Sequence, residues 1–461
     1  MKILQVAHSL PVFTQAGTEI YTHNLSLELS ARHQVYIFSR ICDLRRKEYE
    51  VKKERIAGLT VYTINNTFRN CDSFRMLYQN GIIDAGFEEA LKEIEPDIAH
   101  IQHLNYLSVG LIEKITARKI PTVLTLHDYW WACPRNHLFK NDQRPCDKAI
   151  PGKFDQECRP CLNEMLMIKK RFKRIYNSLR RILPASMLAA LKKTYFSMAG
   201  LAYNGAEPLA KLRERAAYIK FLFNAVDVFI APTEFIRKRY VEFGIPQEKI
   251  RLLPLGFNIG LFKGMEKKKK NKVRFAFIGT LLPAKGAHVL IKSFNGIKNK
   301  NAELVIYGSL RPLTGFEHYV PHLKKIIRNK NIRFGGGFDN EKIASVFREI
   351  DMLVVPSLWP ENSPLVIQEA FLAKTPVVAS RTGGIKEIVK DGVNGFLVNP
   401  GEPDDLRQKL QRIIDDPGLL DKFKEGIPEV KSIEDNAQEI ERVYNELIFK
   451  NTEPVFADEI R

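Results

Sequence analysis

At 461 residues, 45% hydrophobic and 27% charged, the chain has an ordinary globular balance and room for two or three domains of about 150 residues each. That excludes a wholly disordered chain, a collagen-like fibre and a disulfide-framework mini-protein. Its 71 basic and 53 acidic residues leave a net charge of +18, which favours nucleotides, nucleic acid or an anionic membrane face without choosing among them. No window reaches the roughly 18 apolar residues of a spanning helix. The opening MKILQVAHSL carries Gln5 and His8 where a signal peptide needs an apolar core, so it reads as a first strand and a cytoplasmic start.

In chain order, Lys2–Ala7 and Val35–Ser39 are short β-rich runs, and Glu19–Ser30 between them suits a packed helix only roughly. Ile98–Ile101 and Thr122–Leu126 read as further strands, each just after a proline-containing breaker, and Phe87–Ile94 reads as helix. The same grammar restarts at Val273–Gly279. Helix Ala287–Ile297 follows, then strands at Glu303–Tyr307, Met352–Val355, Thr375–Ala379 and Gly395–Val398. Strand–helix alternation predicts α/β architecture: two Rossmann-like, doubly wound domains. The join is expected within Leu255–Lys272, where the run Lys267–Lys270 reads as a solvated linker.

An odd segment, about 140–225, lies between the two units. From Met165 to Ala206 it has no acidic residue, and basic side chains such as Lys169, Lys173, Arg174 and Arg181 alternate with Ile168, Phe172, Ile175 and Leu179. A basic amphipathic helix of this kind either lies in a membrane headgroup region or packs on the first domain. No nucleic-acid-binding motif accompanies the charge. Just before it, Cys133, Cys146, Cys158 and Cys161 have the form C-x12-C-x11-C-x2-C. The terminal C-x-x-C is a common half of a structural zinc site. The bases Arg135, Arg144, Lys148 and Arg159 around it would favour thiolates. Zinc and free or redox thiols both remain open.

Glu361-Asn-Ser-Pro-Leu-Val-Ile-Gln-Glu369 carries the strongest chemical signal. It follows Pro356-Ser-Leu-Trp-Pro360 at a strand end, where ligands of an open α/β sheet bind. Pro364 suits the first turn of the next helix, whose free N–H groups would face a phosphate or oxyanion. Further on come Gly383-Gly-Ile-Lys-Glu387 and Asp391-Gly-Val-Asn-Gly395, and earlier Val305-Ile-Tyr-Gly308. Together, in this order, these motifs resemble the donor-binding domain of family 4 glycosyltransferases, retaining enzymes of GT-B fold. The resemblance extends to the first domain and leaves out only the basic segment.

The resemblance implies a metal-independent transferase that moves a sugar from a nucleotide-sugar donor to a glycan or lipid-linked acceptor. It implies an acceptor-side domain over 1–255, a donor domain over 256–430, and a final helix in 431–461 returning to the first domain. Glu361 matches the catalytic carboxylate beside the donor sugar, and Glu369 the residue that holds the ribose. Asn362, Ser363, Pro364 and Leu365 would contact sugar and phosphate through their backbone. Gly279 and Lys285, in Gly279-Thr-Leu-Leu-Pro-Ala-Lys285-Gly286, would cradle the diphosphate, although Thr280 stands where an arginine is usual. Gly17 would approach the ligand, with Ala16 replacing a second glycine. His127, in His127-Asp-Tyr-Trp-Trp, would line the cleft and donate a hydrogen bond to a sugar hydroxyl or position the acceptor. His100 and His103 point to opposite faces of a strand, which argues against a shared metal and leaves His103 as the one to line the cleft. The expected location is cytoplasmic, peripheral on the inner membrane face. The alternatives are another GT-B enzyme (a nucleotide-sugar hydrolase, epimerase or phosphorylase) and a non-catalytic membrane-binding relative.

Overall fold

The structure, a computed structural model, describes residues 1–14, 16–140, 144–146, 207–268, 271–313 and 315–452, with Cys158, Cys161 and a few isolated positions up to Leu191. The basic amphipathic stretch expected over 165–206 therefore lies outside the described residues, apart from those isolated positions.

The first unit runs β1 (Lys2–Ala7), α1 (Gly17–Ser30), β2 (Gln34–Ile41), β3 (Val51–Ile56), β4 (Leu59–Asn65), α2 (Gly81–Ile94), β5 (Ile98–Ile101), α3 (Leu111–Thr116), β6 (Thr122–Thr125), α4 (Glu207–Phe223), β7 (Val228–Ala231), α5 (Glu234–Phe243) and β8 (Ile250–Leu252). Its sheet has the order β3-β4-β2-β1-β5-β6-β7-β8 and is parallel except for the β3–β4 hairpin. The second unit runs β9 (Val273–Ile278), α6 (Ala287–Asn295), β10 (Ala302–Tyr307), α7 (Tyr319–Ile326), β11 (Ile332–Gly336), α8 (Ile343–Phe347), β12 (Met352–Val355), α9 (Leu365–Leu372), β13 (Val377–Ser380), α10 (Ile385–Ile388), β14 (Gly395–Val398), α11 (Pro403–Asp415) and α12 (Gly418–Glu425). Its sheet, β11-β10-β9-β12-β13-β14, is wholly parallel.

Parallel strands covered on both faces must be apolar throughout. Accordingly β5, β6, β7, β12, β13 and β14 are buried at every position. Strand order reverses between β1 and β5 in the first sheet and between β9 and β12 in the second. Both switch points open at carboxyl ends, where open α/β sheets bind ligands. His8 and His103 follow the first pair, and Gly279 and Glu361 follow the second.

A last helix, α13 (Ile433–Thr452), packs on α1. Tyr21 donates to Asn436 Oδ1 at 2.8 Å, and Gln5 Nε2 donates to the Tyr444 hydroxyl at 3.1 Å. Tyr21, Leu25 and Leu29 share one core with Ile440, Val443 and Tyr444. α1 is thus covered by the sheet on one side and by α13 on another, which explains its weak amphipathic pattern. At the crossover, a Cβ on Gly256 would lie 2.4 Å from the Ser432 carbonyl oxygen, so only glycine lets the two passing strands touch.

The lysine run differs from its reading as a solvated linker. Lys267 Nζ turns inward and donates to the carbonyls of Phe347 at 2.8 Å and Ile350 at 2.7 Å, and to the Thr375 hydroxyl. Burial lowers its pKa to about 7. The free carbonyls at the end of α8 accept its N–H groups, while lost hydration weakens its charged form. Lys268 pairs with Glu349 instead.

Gly286 begins α6 with φ +74°, and a Cβ there would lie 1.9 Å from the Pro356 carbonyl oxygen. Gly286→Ala is therefore expected to destabilise the protein by roughly 3–5 kcal/mol, read as a lower urea midpoint, because both the clash and the left-handed backbone penalise a side chain.

Candidate active site

The loop after β12 carries the principal carboxylate. Leu358 N–H donates to the Ala284 carbonyl at 2.8 Å and ties this loop to the turn Pro283–Lys285. Lys285 Nζ consequently reaches Glu361 Oε1 at 2.6 Å, and the Ser357 hydroxyl donates to the same oxygen at 2.7 Å. The Lys285 ammonium also lies 5.3 Å from the Trp359 ring centroid. Glu361 is 4% exposed, so its charge is held by this cation and hydroxyl rather than by bulk water.

Three clasps fix the loop against the first domain. Asn362 Nδ2 donates to the carbonyls of Leu126 and His127, both at 3.0 Å, and its Oδ1 accepts from the Thr233 hydroxyl at 2.6 Å. Tyr129 donates to the Pro360 carbonyl at 2.6 Å. The Glu387 carboxylate accepts from Glu234 N–H at 2.9 Å and Phe235 N–H at 2.7 Å, and so caps the start of α5 from the other domain. Glycines make the approach possible. A Cβ on Gly383 would sit 2.1 Å from the Glu361 carbonyl oxygen, and one on Gly384 2.0 Å from that of Asn362. The Asn362 side chain is therefore committed to joining the domains. Pro364 stands at the N-cap of α9, one position before its expected place in the first turn. Ser363 and Leu365 are half-buried. A Cβ on Gly17 would lie 3.3 Å from Leu365 Cγ, so the structure brings Gly17 and Leu365 together across the cleft. Ala16 is extended at φ −133°, a conformation open to any residue, which explains why the missing glycine is tolerated.

Glu369 shares a small cavity with Tyr21, Asn24, Phe257, Asn258 and Leu365, between the two domains. Burial pushes its carboxyl up to about 7. A raised folded pKa favours the protonated form, so this group's contribution to stability is full below about pH 4.5 and is lost as pH rises through about 7. Glu369→Gln is accordingly expected to stabilise the unliganded protein by on the order of 1–2 kcal/mol near pH 8 and hardly at all near pH 4.5; melting curves at the two pH values check this. Gly279 follows β9 directly, and its carbonyl oxygen would lie 2.4 Å from a Cβ on Gly308. Thr280 beside it is exposed.

On the first-domain side, His127 Nε2 lies 2.8 Å from Gln102 Oε1. Gln102 Nε2 donates to Gln5 Oε1 at 3.0 Å, which makes Oε1 the acceptor and places the imidazole proton on His127 Nε2. Burial lowers this histidine to about 3, so the ring is neutral. Its Nδ1 then offers a lone pair. In this tautomer His127 Nδ1 accepts from a hydroxyl placed against it. His100 is buried against the Tyr444 hydroxyl at 2.6 Å and the Thr125 hydroxyl at 2.7 Å. His103 Nδ1 accepts from Asn105 N–H at 3.0 Å and Nε2 faces both Asp128 oxygens at 3.2 Å. Gln102 Nε2 also lies 3.2 Å from both His100 ring nitrogens, so His100 and His127 share Gln102 while His103 faces Asp128.

Cys133, Cys146 and Cys158 pack on the first domain's core. Burial pushes the Cys133 thiol up to about 12; at this one cysteine desolvation exceeds the attraction of the neighbouring bases. Among the described residues no group of three or more Cys, His, Asp or Glu is gathered to hold a metal ion.

Sequence reasoning missed Thr233 and Ser357. The signal for Thr233 was its position one residue before α5, directly after a strand. Ser357 was visible only as part of the proline-rich approach to Glu361.

Comparison with known proteins shows the family and the fold. The profile described as Glycosyltransferase Family 4 matches residues 16–152 and 171–261, and that described as Glycosyl transferases group 1 matches 261–430. An uncharacterized glycosyltransferase of Methanocaldococcus jannaschii is 30% identical over 219 residues, 44% of this chain and 55% of that protein. The D-inositol 3-phosphate glycosyltransferase of Corynebacterium glutamicum is 33% identical over 146 residues, 31% of this chain and 35% of that protein. The alignments span about half or less of these curated relatives. Among solved structures, Anabaena HepE in complex with UDP and glucose has a TM-score of 0.64 at 17% identity, covering 96% of this chain and 99% of that one. Sucrose-phosphate synthase from Thermosynechococcus elongatus has a TM-score of 0.65 at 17% identity, covering 97% and 99%. These two show the fold, a pair of Rossmann-like domains in the GT-B arrangement. With both halves matched in order, the chain belongs to family 4 of the glycosyltransferases.

Proposed function

We propose that this protein transfers a hexosyl group from a nucleoside-diphosphate sugar to a hydroxyl of a glycan or lipid-linked acceptor, with retention of configuration and without a divalent metal. The observation that carries the reading is the meeting of Lys285, Ser357 and Glu361 at one switch point, opposite His127 at the end of the other domain's sheet. Bond breaking at the anomeric carbon leaves positive charge on the sugar and negative charge on the departing diphosphate. Glu361 stabilises the first. Lys285 and the free N–H groups at the start of α9 stabilise the second, the place a metal would otherwise fill. Glu369 holds the ribose, and the Asn362 and Glu387 clasps keep water from the reacting carbon. The +18 net charge suits work at an anionic inner membrane surface on a lipid-linked acceptor. No helix among the described residues is long and apolar enough to cross a membrane.

The test is proton NMR of slow donor cleavage by water in the presence of EDTA. The reading expects the sugar to appear first in the anomeric form of the donor. Initial release of the opposite anomer would exclude retention, and complete dependence on added Mg²⁺ or Mn²⁺ would exclude metal independence.

A further inference from the structure

After β6 the chain turns back on itself. Phe139 bridges Pro145, and Cys146 N–H donates to the Leu138 carbonyl at 2.7 Å. His137 stands just before this bridge, between two residues in the left-handed region, Asn136 at φ +64° and Leu138 at φ +47°. Asparagine tolerates that conformation, but leucine adopts it only where the surroundings impose it, and such strain gathers at functional sites. Here Tyr129 N–H donates to the Asn136 carbonyl at 3.1 Å, and Leu138 is buried in the first domain's core. The imidazole is held as well. The backbone N–H and Nδ1–H of His137 both donate to the Arg135 carbonyl, at 2.7 and 3.1 Å.

The ring meets the other domain. Its centroid is 4.5 Å from that of Trp359 at an interplanar angle of 71°, and Tyr129 makes a T-shaped contact with the same indole at 6.2 Å. Trp359 lies two residues before Glu361, yet it belongs to the first domain's apolar core, with Leu358 and Ala284 packed at the border. The Lys285 ammonium is 5.3 Å from this indole and pairs with Glu361 at 2.6 Å. A line of contacts therefore runs from His137 through Trp359 to Lys285 and Glu361. Burial lowers the His137 pKa, so the ring is neutral near pH 7, and the charges of Asp128, Lys285 and Glu361 all reach it. A neutral ring packs on the indole without repelling Lys285.

We propose that His137 is a positioning residue of the transfer reaction: it seats Trp359 across the domain boundary and, through that indole, aims Lys285 and Glu361. The proposal rests on the transferase reading above. Its consequence is that the Lys285–Glu361 pair takes its working geometry only while the two domains are together, because the side chains that wall Trp359 come from the first domain.

The test compares His137→Ala with His137→Phe in the full chain. Phenylalanine keeps a ring against Trp359 without the nitrogens, whereas alanine removes the ring. Cleavage of UDP-, GDP- and ADP-sugars by water gives kcat and KM. Acylation of Lys285 by acetic anhydride, followed by mass spectrometry, reports how firmly that amine is held without needing turnover. His137→Ala is expected to lower kcat about tenfold with the donor KM little changed, since a small misalignment acts on the chemical step, and to speed Lys285 acylation severalfold. His137→Phe is expected to stay near wild type in both. Melting curves are recorded on the same samples. An alanine variant with wild-type kcat and wild-type acylation would overturn the proposal. So would a phenylalanine variant that loses as much as alanine, or a loss of kcat that disappears once rates are normalised to the folded fraction. No cleavage of any donor by wild type counts against the transferase reading instead, and the acylation ratio then decides the positioning role.

Discussion

Glu361→Gln is expected to lower kcat by about a thousandfold or more while nucleotide-induced stabilisation persists, because the carboxylate acts on charge that exists only during transfer. The amide keeps the size of the acid and can still accept from Ser357, which donates to Oε1 at 2.7 Å. The loop geometry is also held independently, by Asn362 and Tyr129. A fall in kcat with unchanged melting and unchanged nucleotide response separates chemistry from folding. Unaltered turnover would remove Glu361 from the mechanism.

Lys285→Ala is expected to reduce kcat/KM by roughly a hundredfold to a thousandfold, the usual loss for one preorganised charge donor. It has a second consequence. Lys285 is the cation on Glu361 at 2.6 Å, and Glu361 is 4% exposed. Removing it leaves a buried charge unpaired, which destabilises by about 3 kcal/mol or more. The double variant Lys285→Ala, Glu361→Gln is expected to regain most of that stability and none of the activity. Equal melting temperatures for the single and double variants would show that the ion pair does not matter to the fold. The cycle thus measures the structural and catalytic roles of one contact separately.

The parallel strands were legible because burial on both faces makes them continuous apolar runs, as in β5 and β12. The edges were not. The β3–β4 hairpin is half-exposed at β3, whose VKKERI carries mostly charged residues, and its signal lies in pairing rather than composition. β8 has only three residues. At the site, the strand-end loops pointed to Glu361 and Lys285, whereas Glu369, inside α9, was picked out by the resemblance to the family. Partner choice did not follow. That Lys285 reaches Glu361, that Asn362 grips the Leu126 and His127 carbonyls, and that Glu387 caps α5 all depend on how two sheets dock. The tautomer of His127 depends on Gln102 and Gln5, distant in sequence. Lys267 shows the opposite failure: four adjacent lysines look solvated until the end of α8 supplies carbonyls for one of them.

The most direct test of the central claim is a thermal-shift series with UDP, GDP, ADP and their common sugar conjugates, with EDTA present throughout. A ligand that binds only the folded chain at a hundred times its Kd raises apparent stability by about 2.7 kcal/mol. The account predicts a clear shift with one base, strongest for its sugar conjugate, and loss of the shift in Glu369→Ala. A shift that appears only when a divalent metal is restored, or one that survives Glu369→Ala unchanged, would contradict it.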